Sequence, residues 1–132
     1  MLFVGQDSDY AYGKLAADAV YGNLGNDALY GGQGADDLLG NFDDDVLNGD
    51  TGDDSLSGGA DPDLFVFRPG AGNDWIYDFT PSQGDLLDTG DRGAWCEAGT
   101  NGILVHLSGG TDTINMWGLR VSGFSASWFK PV

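Results

Sequence analysis

Seven aspartates, Asp9, Asp18, Asp27, Asp36, Asp45, Asp54 and Asp63, stand nine residues apart, and an apolar residue follows each two positions later. The followers are Ala11, Val20, Leu29, Leu38, Leu47, Leu56 and Phe65; six successive nonapeptides open on Gly13, Gly22, Gly31, Gly40, Gly49 and Gly58. One nine-residue unit cannot bury an apolar face alone, so a chain with this period is built by stacking. Seven units run in phase from residue 4 to residue 66 with nothing inserted or deleted. Within a unit the glycine-rich half reads as a turn and the last three residues as a short strand. The eighth position then points inward and the seventh and ninth outward, by strand alternation. Asp7, Asp43 and Asp61 stand where three units lose their second-half glycine, and aspartate tolerates left-handed backbone better than most residues.

Composition narrows the ligand. The 132 residues suggest one domain, with 21 acidic side chains against five basic ones and a formal net charge of −16. Glu97 is the sole glutamate; short aspartate side chains favour turns and metal loops over helix faces. Such a charge repels nucleic acid and anionic membrane and attracts cations. Aspartates stacked about 4.8 Å apart, the spacing of neighbouring strands, repel one another, and the 23 glycines lose much backbone freedom on folding. The repeat region is therefore expected to be largely disordered until divalent cations bind. Cys96 is the only cysteine, which rules out an internal disulfide and reads as a free buried thiol. There is no apolar run of about 18 residues that could span a membrane. The opening MLFVG lacks the basic and apolar regions of a cleavable signal.

Written out, the pattern resembles the RTX nonapeptide, Gly-Gly-x-Gly-x-Asp-x-apolar-x. GGQGADDLL (31–39), GNLGNDALY (22–30) and GDTGDDSLS (49–57) match best. GNFDDDVLN (40–48), GGADPDLFV (58–66) and GKLAADAVY (13–21) are looser, and VGQDSDYAY (4–12) keeps the Asp and the phase. The resemblance implies an all-β fold, a right-handed parallel β-roll of the RTX type with two units per coil. It also implies that Ca²⁺ sits between stacked turns, held by one Asp from each and by backbone carbonyls. Carried over by position, Asp9 pairs with Asp27, Asp27 with Asp45, Asp45 with Asp63, Asp18 with Asp36 and Asp36 with Asp54, for about five ions. Gly22, Gly25, Gly31, Gly32, Gly34, Gly40, Gly49, Gly52 and Gly58 are implied as the turn residues of these sites.

The sites are not expected to be equal. Val4 replaces a glycine beside Asp9, Lys14 and Ala16 replace two beside Asp18, and Pro62 constrains the last turn. The segment Gly70-Ala-Gly72-Asn-Asp74-Trp-Ile76 looks like a further unit out of phase, with Asp74 pairing with Asp54. Asp37, Asp44, Asp50 and Asp53 read first as solvated turn residues and second as extra ligands. Carbonyl-rich cages suit Ca²⁺, which takes six to eight oxygens, better than Mg²⁺, which keeps its waters; an EF-hand would need a glutamate at its twelfth position. One His and one Cys leave little for Zn²⁺.

Beyond about residue 66 the period is lost and all four tryptophans appear. Residues 1–66 are thus expected to form the roll and 67–132 a C-terminal antiparallel β capping region of the same compact unit. Short strands are expected at Phe65–Phe67, Trp75–Phe79, Ile103–Leu107, Thr113–Trp117 and Ser127–Phe129. Segments 65–88 and 103–129 resemble the closing and terminal strands of RTX arrays. The expected cap core is Phe65, Phe67, Trp75, Ile76, Phe79, Leu86, Leu87 and Trp117. His106 faces away from Ile103, Val105 and Leu107 and has no catalytic partners, so no enzyme is expected.

Three roles follow. The first is a calcium-folded, extracellular or particle-surface structural or interaction module, of the type the family exports by type I secretion, although the ending SWFKPV departs from the usual export signal. The second is an assembly subunit joined to itself or a larger body through an outward strip of Tyr10, Tyr12, Tyr21, Tyr30 and Leu39. The third is a glycan-binding module, for a neutral glycan, since Lys14, Arg68, Arg92, Arg120 and Lys130 are too scattered to make a basic groove.

Overall fold

The computed structural model describes residues 1–131. The repeat region forms β1 (Leu2–Phe3), β2 (Tyr10–Leu15), β3 (Ala19–Asn23), β4 (Ala28–Gln33), β5 (Asp37–Asn41), β6 (Val46–Thr51), β7 (Ser55–Gly59) and β8 (Leu64–Val66). Five strands follow: β9 (Asn73–Ile76), β10 (Leu86–Asp88), β11 (Ala94–Ala98), β12 (Gly102–Leu107) and β13 (Thr113–Trp117). Odd and even repeats go to opposite walls. One sheet runs β1-β3-β5-β7-β9-β13-β12-β11 and the other β10-β8-β6-β4-β2. Every pairing within the repeats is parallel, with Ala11 beside Leu29, Leu29 beside Leu47 and Leu47 beside Phe65 on one wall, and Val20 beside Leu38 and Leu38 beside Leu56 on the other. Two nonapeptides therefore make one coil, and the chain is a parallel β-roll. The inward residues of both walls, Val20, Leu29, Leu38, Leu47, Leu56 and Phe65, are wholly buried. A single apolar side chain per unit fills the narrow interior, which is why the array needs stacking to bury anything at all.

From β2 to β7 the strands are longer than the three residues expected. They run on through the opening glycine of the next unit, as in Ala28–Gln33, because parallel ladder bonds continue there. Leu2 pairs with Val20 and Phe3 with Tyr21, so both residues of β1 stand in register with the eighth and ninth positions. The expected tyrosine strip does not form as one surface. Tyr12 and Tyr30 stack on one wall with centroids 4.5 Å apart, while Tyr21 stacks on Phe3 on the other at 4.7 Å. Alternate repeats face opposite ways, and the strip is divided between them.

Past residue 66 both walls continue. β9 extends the first sheet with Ser55 beside Trp75, and β10 extends the second with Leu64 beside Leu86. β13 joins β9 in parallel, and β12 and β11 return antiparallel. Two short 3-10 turns, Val121–Gly123 and Ala126–Trp128, close the other side, where Phe129 bridges to Leu87 and the Lys130 N–H donates to the Leu87 carbonyl at 2.8 Å. This last segment covers the edge that β10 would otherwise expose.

Several expectations for this region need correction. Ser127–Phe129 is turn with a single bridge, the second strand stops at Ile76, and β10 and β11 were not anticipated. Phe65, Phe67, Ile76, Phe79 and Leu87 are in the core as expected, but Trp117 is 47% exposed, Trp75 and Leu86 are half-buried, and Trp128 is the tryptophan inside. Trp117 follows the inward Met116 on β13, and strand alternation turns it out. Cys96 is half-buried and packs against the core. Among the described residues no helix is long and apolar enough to cross a membrane.

Candidate metal centre

Each coil edge is a turn whose shape does not depend on the residue that occupies it. Second positions take positive φ in Lys14 (86°), Asn23 (81°), Gly32 (107°), Asn41 (87°), Asp50 (69°) and Gly59 (108°). Fourth positions do the same in Ala16 (67°), Gly25 (109°), Gly34 (144°), Asp43 (73°), Gly52 (140°) and Asp61 (77°). Left-handed backbone costs an L-residue about 1–2 kcal/mol, so Lys14 and Ala16 are held there by the neighbouring coils. At Gly25 and Gly34 there is a second constraint: a methyl group would lie 2.6 Å from the Asp7 carbonyl oxygen and 2.6 Å from that of Ala16, in the coil before.

Two aspartate columns run along these edges. In the first, the N–H of Asp9 donates to Oδ1 of Asp27 at 2.8 Å, that of Asp27 to Asp45 at 2.8 Å and that of Asp45 to Asp63 at 3.0 Å. In the second, Asp18 donates to Asp36 at 2.7 Å, Asp36 to Asp54 at 2.8 Å and Asp54 to Asp74 at 3.0 Å. One oxygen of each carboxylate is thereby fixed by the coil below. The other is left over: Oδ2 of Asp27, Asp36, Asp45, Asp54 and Asp63 is buried with no hydrogen-bond partner. Leaving a buried carboxylate oxygen unpaired is costly, and the same omission recurs at every interior turn.

What surrounds those oxygens is more oxygen. A methyl group on Gly22 would meet Asp27 Oδ2 at 2.6 Å and the Gly40 carbonyl oxygen at 2.7 Å; on Gly31 it would meet Asp36 Oδ2 at 2.5 Å and the Gly49 carbonyl oxygen at 2.7 Å. Gly40 likewise faces Asp45 Oδ2 and the Gly58 carbonyl oxygen, while Gly49 and Gly58 face the carboxylates of Asp54 and Asp63. The opening glycines thus leave a small recess bordered by a carboxylate oxygen and, at Gly22, Gly31 and Gly40, by a carbonyl oxygen of the next coil. Gly32 and Gly52 sit at the left-handed positions, against the Lys14 and Gly34 carbonyls. A hard divalent cation that takes oxygen ligands fits this donor set.

Electrostatics points the same way. Burial, partly offset by the N–H bond from the coil before and reinforced by neighbouring carboxylates, raises Asp45 to about 7 and Asp54 to about 6. Asp63 and Asp74 are pushed to about 8 for the same leading reason, and burial also raises Asp27 and Asp36. Burial thus works against the ionised form of each of these carboxylates, and a bound cation would offset it.

The column ends differ. Oδ2 of Asp9 accepts the Gly5 N–H at 3.0 Å, and Asp18 lies 3.5 Å from the N-terminal amine in an exposed pair. Asp74 stands at the end of the second column, where its Oδ1 accepts the Asp54 N–H. Asp85, which sequence reasoning missed, closes the first column: its Oδ1 accepts from Asp63 N–H at 3.1 Å and its Oδ2 from Thr80 N–H at 2.7 Å. Also missed were Asp78, which accepts the Gly58 and Gly59 N–H groups, and Asp112, which accepts those of Gly70 and Gly72 and pairs with Arg92 at 2.6 Å. Asp43 and Asp53 serve as acceptors for Gly25 and Asn73 N–H groups. Among the described residues no three His, Cys, Asp or Glu side chains converge on one point, as a carboxylate-only or zinc cage would require.

The fold and the site define a parallel β-roll of calcium-binding type. The model of the RTX calcium-binding nonapeptide repeat matches residues 3–38 and 30–65, and the array of this chain is an RTX repeat module. Among solved structures, the chain is similar to the solution structure of the AlgE6R3 subunit from the Azotobacter vinelandii mannuronan C5-epimerase. Identity is 28%, covering 96% of this chain and 80% of that one, with a TM-score of 0.47. That likeness is loose, and the fold rests on the strand pairings themselves. No curated protein gives a significant match.

Proposed function

We propose that this chain is a calcium-folded structural and interaction module that acts outside the cell or on a cell or particle surface, with no chemistry of its own. About five ions lie along the two coil edges, between Asp9 and Asp27, Asp27 and Asp45, and Asp45 and Asp63 on one, and between Asp18 and Asp36, and Asp36 and Asp54 on the other. Asp74 offers a further place beside Asp54. Backbone carbonyls of the glycine-rich turns complete each ligand set. The observation that carries the reading is the row of five buried Oδ2 atoms without a donor.

Bound calcium supplies the positive charge that lets stacked carboxylates stay ionised. The chain supplies the rest: N–H groups that orient each carboxylate, opening glycines that leave room, and apolar eighth positions that lock coil to coil. Roll and cap, 1–66 and 67–132, fold as one unit because both walls are shared. The place of action follows from the ion. Extracellular modules bind calcium at about 10⁻⁴–10⁻³ M, so the chain stays unfolded where calcium is scarce, as suits type I export, and folds where it is plentiful.

Far-UV circular dichroism of metal-stripped protein, titrated with calcium and separately with magnesium, tests this. A cooperative gain of β-structure in about the 10⁻⁴–10⁻³ M calcium range is expected, with little response to magnesium. Folding at submicromolar calcium, or equally with magnesium, contradicts the extracellular reading.

A further inference from the structure

The tryptophans that leave the core gather on one face. On the outer side of the first sheet, Trp75 of β9 lies beside Asn115 of β13, Asn115 beside Leu104 of β12, and Leu104 beside Glu97 of β11. One row away, Thr113 lies beside His106 and His106 beside Trp95. Trp117 and Tyr77 continue the same side. Trp75 and Tyr77 are 6.0 Å apart with rings inclined by 16°, Tyr77 and Trp117 are 6.3 Å apart, and Trp95 stacks on His106 at 4.0 Å. Tyr77, Trp95 and Trp117 are 46%, 54% and 47% exposed. The core does not need them, since Ile76, Ile103, Val105, Ile114 and Met116 already close it from the inner side of the same strands.

Two observations identify the occupant. The face carries little charge in a chain whose net charge is −16: Glu97 is the acid on its strands, with its carboxylate 2.9 Å from the His106 ring, and Asp53 stands at its border, held by the Asn73 N–H at 2.9 Å. Between the rings stand uncharged hydrogen-bonding groups already held in orientation. The Thr113 hydroxyl donates to Asn73 Oδ1 at 2.8 Å and the Asn115 amide donates to the Asp74 carbonyl at 3.3 Å. Flat apolar rings alternating with fixed amides and hydroxyls match a ligand with apolar C–H faces and a hydroxyl rim. A polyanion is repelled by the protein as a whole, and a second copy would bring the same charge to the contact.

We propose that this aromatic face is a binding surface for a neutral glycan, a β-linked chain of pyranoses whose rings stack on Trp117, Tyr77 and Trp95. From β9 to β11 is three strand spacings, about 14 Å, so the surface spans a stretch of oligosaccharide and not a single sugar. The inference goes beyond the calcium reading and needs only a folded chain.

The test uses the full chain in calcium, with folding of every variant checked by circular dichroism. Cellohexaose and β-mannohexaose are the neutral probes and hexagalacturonate the polyanionic one, followed by calorimetry and by the tryptophan indole N–H signals in NMR. At least one neutral probe is expected to bind and to shift the Trp117 and Trp95 signals. Trp117→Ala and Tyr77→Ala should each weaken binding about tenfold, and Phe42→Ala, an exposed ring on a distant turn, should not. Failure of both neutral probes to bind overturns the proposal, as does binding of the polyanion alone or Trp117→Ala with unaltered affinity. A dimer in sedimentation that Trp117→Ala dissolves also overturns it, by showing that a second copy covers the face.

Discussion

Removing the metal leaves two pairs of buried carboxylates, Asp45 with Asp63 on one edge and Asp54 with Asp74 on the other, with nothing to balance their charge. Their folded pKa values of about 7, 6, 8 and 8 compare with 3.8 for the free side chain. At about 1.4 kcal/mol per unit, ionising each in the folded roll costs on the order of several kcal/mol. A cost of that order is a sizeable share of the roughly 5–15 kcal/mol that holds a whole domain. Because the folded values are raised, the folded state binds more protons than the unfolded one between about pH 4 and pH 8, and stability falls as pH rises through that window.

The metal-free chain should therefore be disordered near pH 8.5 and gain β-structure as the pH drops toward about 5.5, protons taking the place of calcium. The sequence isoelectric point of about 4.1 sets the lower limit of such a titration, since solubility falls near zero net charge. Circular dichroism in chelator follows the fold. A pH-stat should record acid release when calcium is added near pH 6, because the ion displaces those protons. A chelated protein that is rich in β-structure at pH 8.5 and indifferent to acid refutes the reasoning, and so does calcium binding without proton release.

Four substitutions separate the roles of recess, turn and column. Gly31→Ala places a methyl against Asp36 Oδ2 and the Gly49 carbonyl and should remove an ion from the count by equilibrium dialysis. Lys14→Gly relieves a left-handed residue at φ 86°; it should stabilise the roll by about 1 kcal/mol and lower the calcium midpoint. Asp63→Asn and Asp85→Asn form a contrast. The first removes an unpaired buried oxygen and should cost an ion, whereas the second touches a carboxylate whose two oxygens are both bonded to N–H groups. Asp85→Asn should keep the ion count and lose about 1–3 kcal/mol in thermal unfolding.

The roll was legible because its signal is redundant. Asp27, Asp36, Asp45, Asp54 and their apolar followers repeat one instruction until no other fold accommodates it, and the parallel pairings obey it. The cap carries each instruction once. Asp74–Ile76, Asp85–Leu87 and Asp112–Ile114 keep the spacing of an Asp and an apolar residue two places on, but out of phase with the array, and only Asp74 stood out. β10 and β11 were missed because Leu86–Asp88 is short and Ala94–Ala98 lacks an apolar alternation. The tryptophans misled for a simpler reason. Size suggested burial, while the side of the strand on which each stands decided it, and the inward neighbours Ile76 and Met116 had already filled the core. The wholly buried, unpaired Oδ2 atoms could not be read from residue types at all, because they depend on which carboxylate oxygen meets the N–H of the coil before.

Diffraction from crystals grown in calcium, with the anomalous signal of the ion, tests the central claim most directly. The account predicts ions along both edges, about 2.3–2.6 Å from Oδ2 of Asp27, Asp36, Asp45, Asp54 and Asp63. Edges without ions, with those oxygens instead meeting water or protonated neighbours, would contradict it.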